Sequence, residues 1–254
     1  MADFPIETHR FQSFDGVELA WHVMGEGRDA VLIHGYASTA EINWIKYGHA
    51  AKLAEKGFRV IMPDLRGHGM SAAPHDAASY PPDVTARDGL ALVAHLGLTD
   101  YDLGGYSLGA RTTVRMIVDG GATPRKVMLA GMGLSGLTAA SRTGTYFRRV
   151  LTNLGSFERG SSEWLTEAFL KTSKADPLAL LPVLDTFVDT PEEHLARLSE
   201  ETLVVAGVED DHNGSAQDLA NMLPNATFVE IPGNHMSAVT RPELGRAIAD
   251  FFAA

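Results

Sequence analysis

The hydrophobic positions along the chain fall into two kinds of segment that alternate. Short apolar runs typical of buried strands occur at residues 30–34, 58–62, 101–105, 126–130, 202–206 and 226–231. Amphipathic stretches of helical period lie between or after these runs, at residues 43–56, 84–96, 108–118, about 215–223, and in a last segment that ends at Phe251-Phe252. Strands that alternate with helices pair in parallel through right-handed crossovers. The pattern therefore predicts an α/β sheet with helices on both faces.

The N-terminal part of the chain departs from this alternation. Residues 8–14 and 17–23 are both β-like, and Asp15-Gly16 separates them. Because Asp-Gly is a strong signal for a type I′ turn, the sequence predicts a β-hairpin here.

A longer departure occurs at residues 133–195, which contain several amphipathic stretches but no convincing strand. One predicted helical face is formed by Tyr146, Phe147, Val150, Leu151 and Leu154. Strand and helix alternate again after this segment. We therefore expect one α/β domain, residues 1–132 and 196–254, with residues 133–195 as a helical insertion.

Composition narrows the possible functions. The chain is 45% hydrophobic and 21% charged, as is usual for a globular protein with a core, and its net charge is −11. This charge argues against broad nucleic-acid binding, although an anionic substrate needs only a locally positive pocket. The absence of cysteine excludes disulfides, thiolate metal ligands and a cysteine nucleophile. No signal peptide or membrane-spanning run is visible, so we expect a cytoplasmic protein, and the oligomeric state stays open.

Gly105-Tyr106-Ser107-Leu108-Gly109 is the first motif with chemical meaning. It matches G-x-S-x-G between a predicted strand and a predicted helix, which is the context of a nucleophile elbow. The sharp turn strains its central residue and brings backbone segments together, so the flanking positions must be small. The start of the helix also favours negative charge at the hydroxyl. Ser107 is therefore the candidate nucleophile, and the alternative is a glycine-rich turn with an incidental serine.

A serine nucleophile needs a base, and the base needs a group that orients it. Acidic residues 209–211 and His235 each follow one of the last two predicted strands, so both lie at the carboxyl edge of the sheet. Asp210 is the candidate acid and His235 the candidate base. The alternative for residues 209–211 is a solvated acidic loop. His212 is a rival base, but it is too close in sequence to Asp210 for both to aim at Ser107.

The third part of such a site is a pair of amides that stabilise an oxyanion. His34-Gly35-Tyr36 ends the first apolar run and lies beside the elbow, so the Tyr36 and Leu108 amides are the candidate donors. A tight strand exit is the alternative reading of His34-Gly35. The remaining histidines are expected on the solvated surface: His9, His22, His49, His75, His95 and His194.

Together, these motifs resemble the α/β-hydrolase superfamily in order and spacing: residues 34–36, 64–71, 105–109, 207–210 and 233–235. The resemblance covers nearly the whole chain except residues 133–195, where the family usually has a variable helical cap. It implies a mostly parallel eight-stranded sheet, a cap after the sixth strand and a Ser-Asp-His triad that uses no metal or organic cofactor. The family's usual spacing selects Asp210 over Asp211 as the acid. Arg66 and His68 are more often structural than catalytic in this family.

The resemblance implies a hydrolase, and Ser107 argues against the dehalogenases and epoxide hydrolases that carry aspartate at this position. We predict a carboxylesterase acting on a small-molecule ester or lactone through an acyl-enzyme. A lactonase, a carbon–carbon bond hydrolase, a perhydrolase and a low-activity ligand-binding receptor on this scaffold are the alternatives. Side chains of the insertion that are candidates for the substrate pocket, or else for packing onto the core, are Phe147, Leu151, Trp164, Leu165, Phe169 and Phe187.

Overall fold

The computed structural model describes residues 4–254, and at residues 141–143 it describes the backbone alone. One sheet contains β1 (Ile6–Gln12), β2 (Glu18–Met24), β3 (Arg28–Ile33), β4 (Phe58–Pro63), β5 (Tyr101–Tyr106), β6 (Lys126–Ala130), β7 (Glu201–Gly207) and β8 (Ala226–Ile231). The order across the sheet is β1-β2-β4-β3-β5-β6-β7-β8. β2 pairs antiparallel with β1 and β4, and the remaining pairs are parallel. The predicted α/β class and mostly parallel eight-stranded sheet are confirmed.

The N-terminal hairpin forms, but its turn differs from the predicted one. Ser13 N donates to Val17 O at 2.9 Å, and Gly16 N donates to Ser13 O at 3.0 Å. Gly16 is left-handed with φ 83°, whereas Asp15, which a type I′ turn would also place at positive φ, is not. The prediction of a type I′ turn is therefore wrong, and the loop is a three-residue turn closed by a left-handed glycine. The Asp15 carboxylate accepts hydrogen bonds from Arg66 at 2.6 and 2.9 Å, a distant partner that the local pattern does not reveal.

The α-helices of the described chain are α1 (His49–Glu55), α2 (Val84–Leu96), α3 (Leu108–Val118), α4 (Leu134–Thr138), α5 (Ala140–Thr152), α6 (Ser162–Thr172), α7 (Pro177–Leu184), α8 (Glu192–Leu195), α9 (Ala216–Met222) and α10 (Pro242–Ala253). The single helix predicted over residues 43–56 is instead a π-helical turn, Glu41–Ile45, followed by α1. Gly48 separates the two with φ 75°, a conformation that ends helices. No helix within residues 4–254 is long and apolar enough to cross a membrane.

The segment between β6 and β7 is helical, as the sequence predicts. It contains α4–α8, of which α5 packs against α6 and α7, while α8 contacts α3. The treatment of residues 133–195 as a cap separate from the rest of the chain stays a prediction.

The core lies on both faces of the sheet because side chains of a strand alternate in direction. In β3, Val31 and Ile33 join one buried cluster, and Ala30 and Leu32 join the other. The parallel strands β3, β5, β7 and β8 all end at the same edge. The loops that follow these four strands carry the candidate chemical groups.

Candidate active site

Ser107 lies in a strained turn between β5 and α3. Its backbone has φ 54° and ψ −112°, a conformation that non-glycine residues rarely adopt. A Cβ added at Gly105 would lie 2.2 Å from the carbonyl carbon of Gly109. A Cβ added at Gly109 would lie 2.0 Å from the carbonyl oxygen of Ile33. Because backbone atoms lie this close on both sides, positions 105 and 109 must both be glycine. This is the physical reason for the two glycines of the G-x-S-x-G motif.

Three of the predicted site residues are joined by hydrogen bonds. Ser107 Oγ lies 3.1 Å from His235 Nε2, and His235 Nδ1 lies 3.1 and 3.0 Å from the two carboxylate oxygens of Asp210. The Asp210 side chain is only 3% exposed. A carboxylate accepts but does not donate, so Nδ1 carries the proton and Nε2 of the neutral ring is free to accept from the serine hydroxyl.

The loops that carry His235 and Asp210 are fixed by backbone and side-chain hydrogen bonds. Glu209 N donates to Gly233 O at 3.0 Å, which joins the two loops directly. The Asn234 side chain accepts from the amides of Met236 and Ser237, and so shapes the turn that follows β8. On the other side, the Tyr106 hydroxyl donates to His235 O at 2.6 Å. Tyr106, the residue before Ser107, thus fixes the backbone position of His235 by a hydrogen bond.

The loop after β3 lies on the opposite side of Ser107. Gly35 N donates to Asn43 Oδ1 at 2.8 Å, and Ala37 N donates to His68 Nε2 at 3.1 Å. Neither the Tyr36 amide between them nor the Leu108 amide donates a hydrogen bond to the described part of the chain. Both N–H groups therefore remain available for the role of oxyanion donor, which stays a prediction.

A buried polar network supports this loop from behind. Leu65 N donates to His34 Nε2 at 2.9 Å, so His34 and His68 both accept a backbone N–H at Nε2 and are neutral. Burial lowers the pKa of His34 and lowers that of His68 to about 3. Burial works against ionisation of Asp64, but hydrogen bonds from His22 and from backbone amides outweigh it and lower the pKa of this carboxyl to about 2. The loop is thus built on two neutral histidines and one ionised carboxylate.

Two residues that sequence reasoning left out also lie at the site. The ring of His212 stacks on that of His235, with 4.6 Å between centroids. His212 is too close in sequence to Asp210 to be the predicted base, but its sequence position does not reveal that its ring lies against the base. Arg111 is 5% exposed and lies four residues after Ser107, on the first turn of α3. Its position in the helix after the serine is the sequence signal that would have found it, because residues four apart share a helix face.

Two of the six histidines predicted on the surface are buried instead. His22 is 7% exposed because it donates to Asp64, and His49 is fully buried and bonds to Val239 O at 2.7 Å. The prediction for these two residues is wrong. Their hydrogen-bond partners are far away in the chain, and the residues next to each histidine in the sequence do not reveal them.

The candidate pocket residues are divided in space. The Phe147 ring lies 4.7 Å from that of Tyr36 and 6.0 Å from that of His212, so it borders the site. The Phe187 ring meets Tyr36 edge-on at 6.4 Å. Among the other candidates, Leu151 is buried in the core, Phe169 packs against the core, Trp164 is partly exposed and Leu165 is 57% exposed, and their place in a substrate pocket stays a prediction.

Comparison with known proteins agrees with the fold described above. The sequence pattern of the alpha/beta hydrolase family matches residues 30–245. The chain therefore belongs to this family of hydrolases.

Individual relatives are distant. A pyrrolizixenacetamide deacetylase from Xenorhabdus hominickii is 22% identical over 248 residues, which are 89% of this chain and 91% of that protein. A non-heme haloperoxidase from Rhodococcus erythropolis is 36% identical over 111 residues, only 42% of this chain and 38% of that protein. Epoxide hydrolases and an enol-lactonase are also among the similar proteins. The similar proteins thus differ in both reaction and substrate.

Among solved structures, an esterase from Thermogutta terrifontis with malate bound is 25% identical, with a TM-score of 0.71. The match covers 97% of this chain and 98% of the esterase. The fold is therefore shared over essentially the whole length.

Proposed function

We propose that this protein hydrolyses carboxylic esters through an acyl-enzyme formed on Ser107. The observation that carries the proposal is the unbroken hydrogen-bond chain from Ser107 Oγ through His235 to the buried Asp210 carboxylate. The strained backbone of Ser107 adds to it, because strain of this kind concentrates at functional sites. Similarity to an esterase over the whole chain supports the same reaction class.

In the acylation step, His235 Nε2 accepts the hydroxyl proton while Ser107 Oγ attacks the carbonyl carbon of the ester. The Nδ1–H bonds to Asp210 hold the ring in the required tautomer, and the carboxylate stabilises the imidazolium that forms. The Tyr36 and Leu108 amides donate to the oxyanion. The imidazolium then protonates the departing alkoxide, and the acyl group stays on the serine.

Deacylation repeats these steps with water as the nucleophile. His235 removes a proton from the water, the resulting tetrahedral intermediate is stabilised by the same two amides, and Ser107 leaves as its hydroxyl regains the proton. The products are a carboxylic acid and an alcohol.

The residue at the elbow favours acyl transfer over epoxide opening. A serine hydroxyl paired with histidine is suited to attack on a carbonyl carbon, whereas the epoxide hydrolases of this fold carry aspartate at the same place. We propose a small-molecule substrate and a cytoplasmic location on the composition and sequence pattern alone.

A substrate panel tests the proposed function. The panel contains p-nitrophenyl esters of graded chain length, lactones and vinylogous diketones, each with the wild type and Ser107→Ala. We expect ester hydrolysis by the wild type and a loss of about 10³-fold or more in kcat on removal of the hydroxyl. Ser156→Ala is the control, because Ser156 is exposed and bonds only locally to Asn153. Full esterase activity in Ser107→Ala would exclude the proposal, and turnover of lactones or diketones alone would redirect it.

A further inference from the structure

Arg111 is a buried cation one helical turn after Ser107, and it has no part in the proposed proton transfer. Its amide donates to Ser107 O at 3.1 Å, within the first turn of α3. Helical side chains lean toward the N-terminus of their helix, so this guanidinium is carried back toward the turn that bears Ser107.

The surroundings of Arg111 connect it to the rest of the site. Its Nε and Nη2 donate to Gly136 O at 3.2 and 3.0 Å, and its Cζ lies 4.3 Å from the centre of the Phe187 ring. Phe187 in turn touches Tyr36, whose amide is a proposed oxyanion donor. Burial and the charge of His235 lower the pKa of His212, whose ring stacks on that of His235. The charges of Asp210 and Asp211 raise this pKa, and the charge of Arg111 has a smaller, lowering effect. The charge of Arg111 therefore reaches His212, the ring neighbour of the proposed base.

Arg111 also differs from the other buried arginines. Arg66 pairs with Asp15 and Asp88, and Arg115 pairs with Asp83 and Asp119. Arg111 forms no ion pair with any described residue, although the charge of Asp189 raises its pKa.

The cost of this arrangement indicates a ligand. Burial lowers the pKa of Arg111 to about 10, which leaves the group cationic at neutral pH. The charge of Asp189 offsets part of the cost of burying this cation, but burial is the larger effect on the pKa of Arg111. Nη1 makes no hydrogen bond to the described residues and remains available as a donor.

We propose that Arg111 binds a carboxylate of the substrate, so that the ester cleaved at Ser107 also carries a negative charge. This inference rests on the proposed function and narrows its substrate class. A guanidinium is well matched to a carboxylate in shape and charge, and burial strengthens the attraction. The net charge of −11 does not prevent binding of an anionic substrate, because salt screens distant charges while the carboxylate lies close to the Arg111 cation.

Two pairs of substrates test this inference. The first pair places the charge on the acyl side: the mono-4-nitrophenyl ester of adipic acid and its uncharged primary amide. The second places it on the alcohol side: 4-acetoxybenzoate and 4-acetoxybenzamide. We expect the wild type to prefer the anionic member of at least one pair by about tenfold or more in kcat/KM.

Variants at Arg111 identify the source of that preference. Arg111→Met should lower kcat/KM for the preferred anion by about 10- to 100-fold and change it for the matching amide by no more than about threefold. Arg111→Lys should retain part of the preference because it keeps the charge. Arg159→Met is the control, because Arg159 is exposed on the loop before α6.

The outcomes separate this inference from the proposed function. Equal activity on both members of each pair, or an equal loss on both in Arg111→Met, would overturn carboxylate binding. Hydrolysis of the uncharged esters that depends on Ser107 would then still support the esterase. If Arg111→Met does not fold, inhibition of the wild type replaces it as the test. Adipate must then inhibit ester hydrolysis by the wild type more strongly than adipamide does. If none of the four esters is hydrolysed while the neutral p-nitrophenyl esters are, the inference is wrong and the esterase proposal stands. If no ester of either set is hydrolysed, both are wrong.

Discussion

Residues 209–211 provide three carboxylates in succession, and their surroundings differ sharply. The Asp210 side chain is 3% exposed and faces His235, whereas Glu209 and Asp211 are exposed. The Asp210 carboxylate also accepts the His212 amide at 3.3 Å. One acidic residue in this loop is thus equipped to orient the base.

Substitution of Asp210 tests this assignment. Asp210→Asn keeps the shape, but an amide can donate to Nδ1 and so favours the wrong tautomer of His235. We expect kcat for ester hydrolysis to fall by about 10³- to 10⁴-fold, while the fold is retained. Asp211→Asn should remain within about threefold of the wild type. Similar small effects of both changes would mean that the loop is only a solvated acidic surface.

The sequence predicts those site residues whose role follows from strand order and local spacing. Ser107, Asp210 and His235 each follow a strand that is visible as an apolar run. His212 and Arg111 were missed because their positions depend on how a loop folds back and where a long side chain ends. The spacing of four residues from Ser107 marks Arg111 as sharing its helix face, but it does not show where the long side chain ends. The fold of the loop that carries His212 leaves no mark in a linear pattern.

The loop after β3 depends on neighbouring elements for its shape. Its amides bond to Asn43 in the π-helical turn and to His68 in the loop after β4. A single helix over residues 43–56, as predicted, would not show this arrangement. The break at Gly48 separates the π-helical turn, which carries Asn43, from α1. Element boundaries of this kind depend on tertiary contacts and are the least accessible to sequence patterns.

The buried histidines of this network predict acid sensitivity. The pKa of His68 is about 3 in the folded protein, well below the ordinary value of about 6.5 that it regains on unfolding. Between these values the unfolded chain binds more protons, so the free energy of unfolding decreases as the pH falls from about 6.5 toward 3. His34 acts in the same direction, and Asp64 extends the loss below about pH 4.

Urea unfolding at pH 8, 6 and 4.5 measures this effect. We expect the wild type to lose stability steadily toward pH 4.5, and His68→Gln to lose less because it removes one of the groups that titrate. His95→Gln is the control, since His95 is exposed on α2, and it should follow the wild type. An identical pH dependence in His68→Gln and the wild type would mean that His68 does not contribute.

The sheet assembles the site from parts that are far apart in the chain. Residues 34–36, 105–109, 207–210 and 233–235 meet because β3, β5, β7 and β8 end at one edge. The sequence predicts the parallel sheet and this common edge, since both follow from strand–helix alternation. The strand order and the contacts of the helical segment 133–195 arise from long-range packing, so the residues that surround the substrate are known only from the folded chain.

The central claim is that Ser107 is a nucleophile activated by His235. Covalent labelling by a fluorophosphonate, followed by intact-mass measurement and peptide mapping, tests it independently of the natural substrate. We expect one phosphonyl group per chain, located on Ser107, with no label in Ser107→Ala and much slower labelling in His235→Gln. Absence of labelling in the folded wild type, or an equal adduct in Ser107→Ala, would contradict the account.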